Sequence, residues 1–147
     1  MTNTQTQAPE TYTQQKKRHQ DEISGFDGLF WAFSNEQLEE GKKKISIALG
    51  ITCENKDLIG IGAGGFILRT QIKAFKDCMS RQAKERKDLK KDAKIFFDAL
   101  VYELNNHEYC ITYNPQDALD ALGLTKDDVD PVLLKKACRE SLIGCTC

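Results

Sequence analysis

"DLIGIGAGGFILRT", residues 57–70, carries Gly60, Gly62 and Gly65 at the spacing G-x-G-x-x-G. In a dinucleotide-binding fold that spacing needs a strand before it, a helix opening at the second glycine so that its N–H groups face the pyrophosphate, and an acidic residue closing the next strand. Here the glycines lead into β-prone Phe66, Ile67 and Leu68, and the first residue with N-cap chemistry is Thr70, so a helix starts too late. The acids about twenty residues on, Glu85 and Asp88, fall inside a helical pattern rather than at a strand end. The stretch therefore reads as a strand at 58–61, a turn whose glycines supply positive φ, and a strand at 66–68. No cofactor is expected.

Toward the C-terminus, no glycine or proline occurs between Phe66 and Asn114. Leu68, Ile72, Phe75 and Met79, then Ala93, Phe96, Phe97, Leu100 and Leu104, keep helical spacing on either side of a polar middle. An unbroken helix over 71–106 would be about 54 Å long, too long for a compact domain of this size. The segment must bend, break near residues 82–90, or project toward a partner. Its middle, "RQAKERKDLKKDAK" (81–94), sets Arg81, Lys84, Arg86, Lys87, Lys90, Lys91 and Lys94 against three acids. Phosphate binding needs such a surface, yet no aromatic interleaves it for base stacking. Pairs such as Lys84 with Asp88 describe a solvated helix face. These seven side chains form the candidate interaction surface, with weak nucleic-acid binding as the alternative.

Beyond lies "NHEYCITYNPQD" (106–117). His107, Glu108 and Cys110 are the one cluster with metal-ligand, acid–base or nucleophile chemistry. The competing expectation is structural: His107 capping the carbonyls of a helix end, then a strand at 109–113 turning Cys110 and Thr112 to one face. Asn114 and Pro115 open a helix that Gly123 closes, and a last helix starts at Thr125 or Pro131. That helix pair resembles a DNA-reading module, but Asp127, Asp128 and Asp130 would meet the phosphates and be repelled. The same acids lack the spacing of a calcium loop. No catalytic or metal-binding residue is expected.

Toward the N-terminus, "GFDGLFWAF" (25–33) reads as a buried strand at 29–33. Ser34 with Gln37 is a capping-box pair opening a helix that runs to Leu49 and stops at Gly50. Residues 10–23 suit at best a weakly held surface helix, and residues 1–9 a disordered tail. The expected fold is a single α+β domain over 10–147. It has a small antiparallel sheet covered by helices, one of them long, around Leu29, Phe30, Phe33, Leu38, Ile67, Phe75, Phe96, Leu100, Leu104 and Leu119.

Of the 147 residues, 40% are hydrophobic and 29% charged, an ordinary globular balance. The polar N-terminus is not expected to act as a signal peptide, and no apolar run reaches the roughly 18 residues of a membrane span. Residence in the cytoplasm follows, with the six cysteines, none in a C-x-x-C pair, as reduced thiols and the final "CTC" as a frayed end. Residues 1–97 carry 17 Lys and Arg against 13 Asp and Glu, and residues 98–147 carry 4 against 9, so the halves, at +4 and −5, attract within the chain or between chains.

The combination "FWAFSNEQLEEG" (30–41), "GIGAGGFILR" (60–69) and "NHEYCITYNPQDALDALGLT" (106–125) resembles a family of short proteins encoded by bacteriophages and mobile elements of gut bacteria. The resemblance covers about residues 16–135 and implies origin rather than mechanism. With no reactive constellation, the expected function is non-enzymatic: an accessory protein that binds a host or host-defence protein, itself a homo-oligomer or part of a complex.

Overall fold

The computed structural model describes residues 9–143, which pack as two compact units, one of residues 18–81 and one of residues 9–17 with 82–143. Helices α1 (Tyr12–Ser24) and α3 (Ile72–Asp88) contribute residues to both.

The first unit holds a three-stranded antiparallel sheet in the order β1-β3-β2, with β1 at Leu29–Trp31, β2 at Leu58–Gly62 and β3 at Gly65–Leu68. The glycine stretch is the β2–β3 hairpin. Gly62 pairs with Gly65 across a two-residue turn, Ala63 and Gly64, whose φ values of 51° and 79° match the right-handed strand twist. Ile61 is the extra residue of a bulge between the Gly60 and Gly62 pairs. An alanine at positive φ is strained by about 1–2 kcal/mol, so Ala63→Gly should raise stability by about 0.5–1 kcal/mol after the entropy of the added glycine. A urea midpoint that stays put or falls would refute this.

Helix α2 (Asn35–Leu49) covers one face of the sheet. Its ends are those expected from sequence: Ser34 Oγ accepts from Gln37 N–H at 3.2 Å, and Gly50 stops it at φ 64°. Gln37 reaches one residue further back than a standard capping box, its Oε1 accepting from Phe33 N–H at 2.7 Å. Ile45, Cys53, Leu58 and Leu68 form the buried cluster, with Phe30 and Leu38 packed on it. Phe30 stacks on Phe66, their centroids 5.8 Å apart, and lies against Gly41 of α2. Phe33, expected in the core, is 76% exposed, because the strand ends at Trp31 and the ring covers Gly64 instead.

The second unit is built on α4 (Ala93–Asn106), packed by α5 (Tyr109–Thr112), α6 (Gln116–Ala121) and α7 (Pro131–Ile143). Phe96, Ala99, Leu100 and Leu104 of α4 meet Leu119, Leu122, Val129 and Ala137 in one core. The expected long helix is two helices. A turn of 3₁₀ at Leu89–Lys91 ends α3, and Asp92 caps α4 by accepting from Lys94 and Ile95 N–H at 3.1 and 3.2 Å. The break begins within the expected window, α3 ending at Asp88, and the turn buries Leu89.

Other expectations change as well. Thr70 lies within a 3₁₀ turn, Arg69–Gln71, rather than capping α3. The strand expected at 109–113 is α5, a single helical turn, so Cys110 and Thr112 share no sheet face. Helix α1 is no loose surface helix: Tyr12, Gln15 and His19 are all buried. Asn114 Oδ1 does cap Gln116 N–H at 3.0 Å, and Gly123 follows α6 at φ 70°. Thr125 and Asp128 form a capping box on the 3₁₀ turn Lys126–Asp128, and α7 then begins at Pro131.

Candidate interaction surface

The seven basic residues of 81–94 are divided by the break between α3 and α4. The Arg81 guanidinium pairs with the Glu22 carboxylate, and Lys91 Nζ lies 3.4 Å from Asp88 Oδ1. Lys90 Nζ donates to the Asp128 carbonyl at 2.6 Å. Hydrogen bonds from the Thr125 backbone and hydroxyl, aided by the charges of Lys90 and Lys87, hold the Asp128 carboxyl below its ordinary value. The opposite charges of the two sequence halves thus meet inside one unit. Lys84, Lys87 and Lys94 remain at the surface, and Arg86 is half-buried. The segment is a mixed-charge face rather than a continuous basic stripe.

His107, Glu108 and Cys110 lie around the α4–α5 junction without converging. Among the described residues, no three His, Cys, Asp or Glu side chains gather closely enough to hold a metal. His107 is the C-cap residue of α4, and its Nε2 lies 3.2 Å from Glu103 Oε2, an oxygen that accepts no hydrogen bond from the described residues. Glu108 has φ 55° and Tyr113 φ 54°, so α5 is one helical turn held between two left-handed residues. That conformation costs each non-glycine residue of order 1–2 kcal/mol and persists only where surrounding packing enforces it. Tyr109 provides that packing: it lies on the α4 core, and its hydrogen bond with Cys138, then its burial, push its hydroxyl above the ordinary tyrosine value. The other side of the turn faces solvent, with Ile111 65% and Tyr113 66% exposed, and Tyr113 meets Tyr109 edge-on at 6.0 Å.

Behind the junction sits Glu103, which the sequence reading missed. Its side chain is fully buried, and its Oε1 accepts from the Tyr12 hydroxyl at 2.6 Å and from Lys16 Nζ at 2.5 Å. Lys16 Nζ also lies 5.1 Å from the centroid of Tyr102, which meets Tyr12 edge-on. The signal was present in the spacing. Glu103 falls within the apolar stripe of Phe96, Ala99, Leu100 and Leu104, where a carboxylate needs a buried partner. A cleft of about 270 Å³ opens beside Tyr12, Asp98 and Tyr102, and one of about 320 Å³ beside Lys42, Ser46 and Cys53. None of the four cysteines described, Cys53, Cys78, Cys110 and Cys138, is in a disulfide, while Cys145 and Cys147 lie outside the described residues.

No helix among the described residues is long and apolar enough to cross a membrane. Comparison with curated proteins and with solved structures finds no match. Residues 11–140, from the first turn of α1 almost to the end of α7, match one family model, described as a family of unknown function (DUF7659). The chain belongs to that family.

Proposed function

We propose that this protein works by binding another protein, through the solvent side of α5. The reading is non-enzymatic: a bacteriophage or mobile-element accessory factor, acting in the cytoplasm of a bacterial host on a host or host-defence protein. The observation that carries it is the pair Ile111 and Tyr113, 65% and 66% exposed on a helical turn fixed between two strained residues. Large apolar side chains held rigidly in water lose little entropy when a partner covers them, and aromatic residues dominate the energetics of such contacts. The turn also lies within the sequence combination that resembles phage and mobile-element proteins.

Affinity capture from a bacterial host lysate tests the proposal. Ile111→Ser with Tyr113→Ser should reduce recovery of the captured protein about tenfold or more, and circular dichroism should stay unchanged because both side chains are exposed. Equal recovery by the double variant would sink the assignment of this surface. Binding to DNA or RNA at physiological salt, with a steep salt dependence reduced by Lys90→Glu and Lys91→Glu, would install the nucleic-acid reading in its place.

A further inference from the structure

The edge of β1 that pairs with no strand among the described residues carries a surface complementary to itself, and we infer that two copies of this chain associate there as a symmetric dimer. Gly28 C=O accepts from Leu68 N–H at 3.1 Å, and Ala32 N–H donates to Gly64 C=O at 2.9 Å. Residues 28, 30 and 32 therefore turn their backbone groups toward β3. By the same alternation, the N–H and C=O of Trp31 and the C=O of Leu29 point outward from the sheet edge. An antiparallel β1–β1 pairing centred on Phe30 sets Leu29 of one copy opposite Trp31 of the other. Each Trp31 N–H then donates to a Leu29 C=O across the two-fold. On the face opposite Phe30 the same register stacks each Trp31 ring, 51% exposed in the chain described here, on a half-buried Leu29.

Helix α2 supplies an independent reason for that register. Lys42 Nζ donates to Asn55 Oδ1 at 2.8 Å, and Ser46 Oγ accepts from Cys53 N–H at 3.1 Å, so this flank of α2 faces the chain entering β2. At 100° per residue, Glu40, Lys44 and Ile47 lie on the opposite flank, toward the free edge of β1. All three are exposed, Ile47 at 81%. Gly41 lies against Phe30, so a two-fold through Phe30 passes beside the middle of α2. It runs the two helices antiparallel and brings Glu40 of each copy to Lys44 of the other. The strand register and the charge pattern thus specify the same axis, which favours a second copy over an unrelated strand.

Trp31 is the chain's only tryptophan and so reports on the contact directly. Sedimentation over a concentration series should show mass rising from monomer to dimer, with a parallel blue shift of tryptophan emission. Glu40→Lys and Lys44→Glu, both at exposed positions, should each weaken the dimer about tenfold or more by placing like charges together twice. A mixture of the two variants should associate again, because every facing pair is then of opposite sign. Strict monomers at all concentrations would overturn the inference, as would a dimer indifferent to both reversals and to Trp31→Lys, or a mixture that stays monomeric. An emission shift that appears only when a different protein is added would assign the edge to that protein and overturn the two-fold.

Discussion

Glu103→Ala should destabilise the packing around α4 by about 2–4 kcal/mol, from a buried hydroxyl left without its acceptor and from the volume removed. The carboxylate is completely buried and takes two hydrogen bonds on one oxygen. Its loss leaves the Tyr12 hydroxyl, on a residue 5% exposed, without its acceptor, and empties the buried volume that the side chain filled. Lys16 is 41% exposed at its side chain and can return to water, so it adds less. Urea denaturation followed by circular dichroism measures the loss, and a change under 1 kcal/mol would show that the cluster is not holding α1 to α4. The effect depends on pH in a defined direction. Burial raises the Glu103 carboxyl, but the hydrogen bonds from Lys16 and Tyr12 and the Lys16 charge outweigh it, and the net shift is downward. A depressed carboxyl contributes stability that is full above the unfolded value, about 4.3 for glutamate, and is lost as pH falls through the lower folded value. The gap between wild type and Glu103→Gln should therefore stay constant from neutral pH to about pH 5 and narrow below about pH 4.

Gly41→Val should cost about 2–3 kcal/mol. On an exposed helical face, replacing glycine with alanine stabilises by about 1 kcal/mol, so propensity alone predicts a gain at position 41. The Phe30 ring reverses that expectation, because it occupies the space a β-carbon would take on a glycine buried within α2. The ring is also stacked on Phe66, so it cannot withdraw without disturbing the sheet. Thermal and urea unfolding of Gly41→Ala and Gly41→Val should show both less stable than wild type, with valine the worse. A stabilised alanine variant would mean that the ring does not lie on the helix.

What the sequence disclosed followed from how local each cause was. The β2–β3 hairpin and both ends of α2 were legible because glycines and a serine at fixed offsets determine them within a few residues. The α+β class and the buried α4 stripe were legible from periodicity. The break after Asp88 was legible because the apolar periodicity is interrupted across residues 82–90. Helix α5 was read as a strand because Tyr109, Ile111, Thr112 and Tyr113 all favour strands. Tyr109 packing on α4 and the left-handed Glu108 and Tyr113 decide otherwise, and no local propensity reports them. Helix α1 was undervalued because its buried face is Tyr12, Gln15 and His19, polar residues, and Tyr12 and Gln15 find their partners far along the chain at Glu103 and Glu85. The candidate surface moved for the same reason: ion pairs take up part of the basic run, while two exposed residues of a misassigned strand became its replacement.

The order of strands in the sheet sets a schedule for synthesis. β2 and β3 are joined by two residues and can pair as soon as both leave the ribosome, on the microsecond scale of hairpin closure. β1 is made first but among the described residues pairs with β3, Leu29 with Ile67, so 37 residues separate the partners in the nascent chain. At about 5–20 residues per second, Phe30 and Trp31 wait for seconds beside a growing chain before their mate emerges. During that interval α2, already complete, can shelter Phe30 against Gly41, whereas Trp31 has no cover. Neighbouring ribosomes on one message would then present the same unpaired strand to one another, at the stage when edge-to-edge aggregation most readily begins.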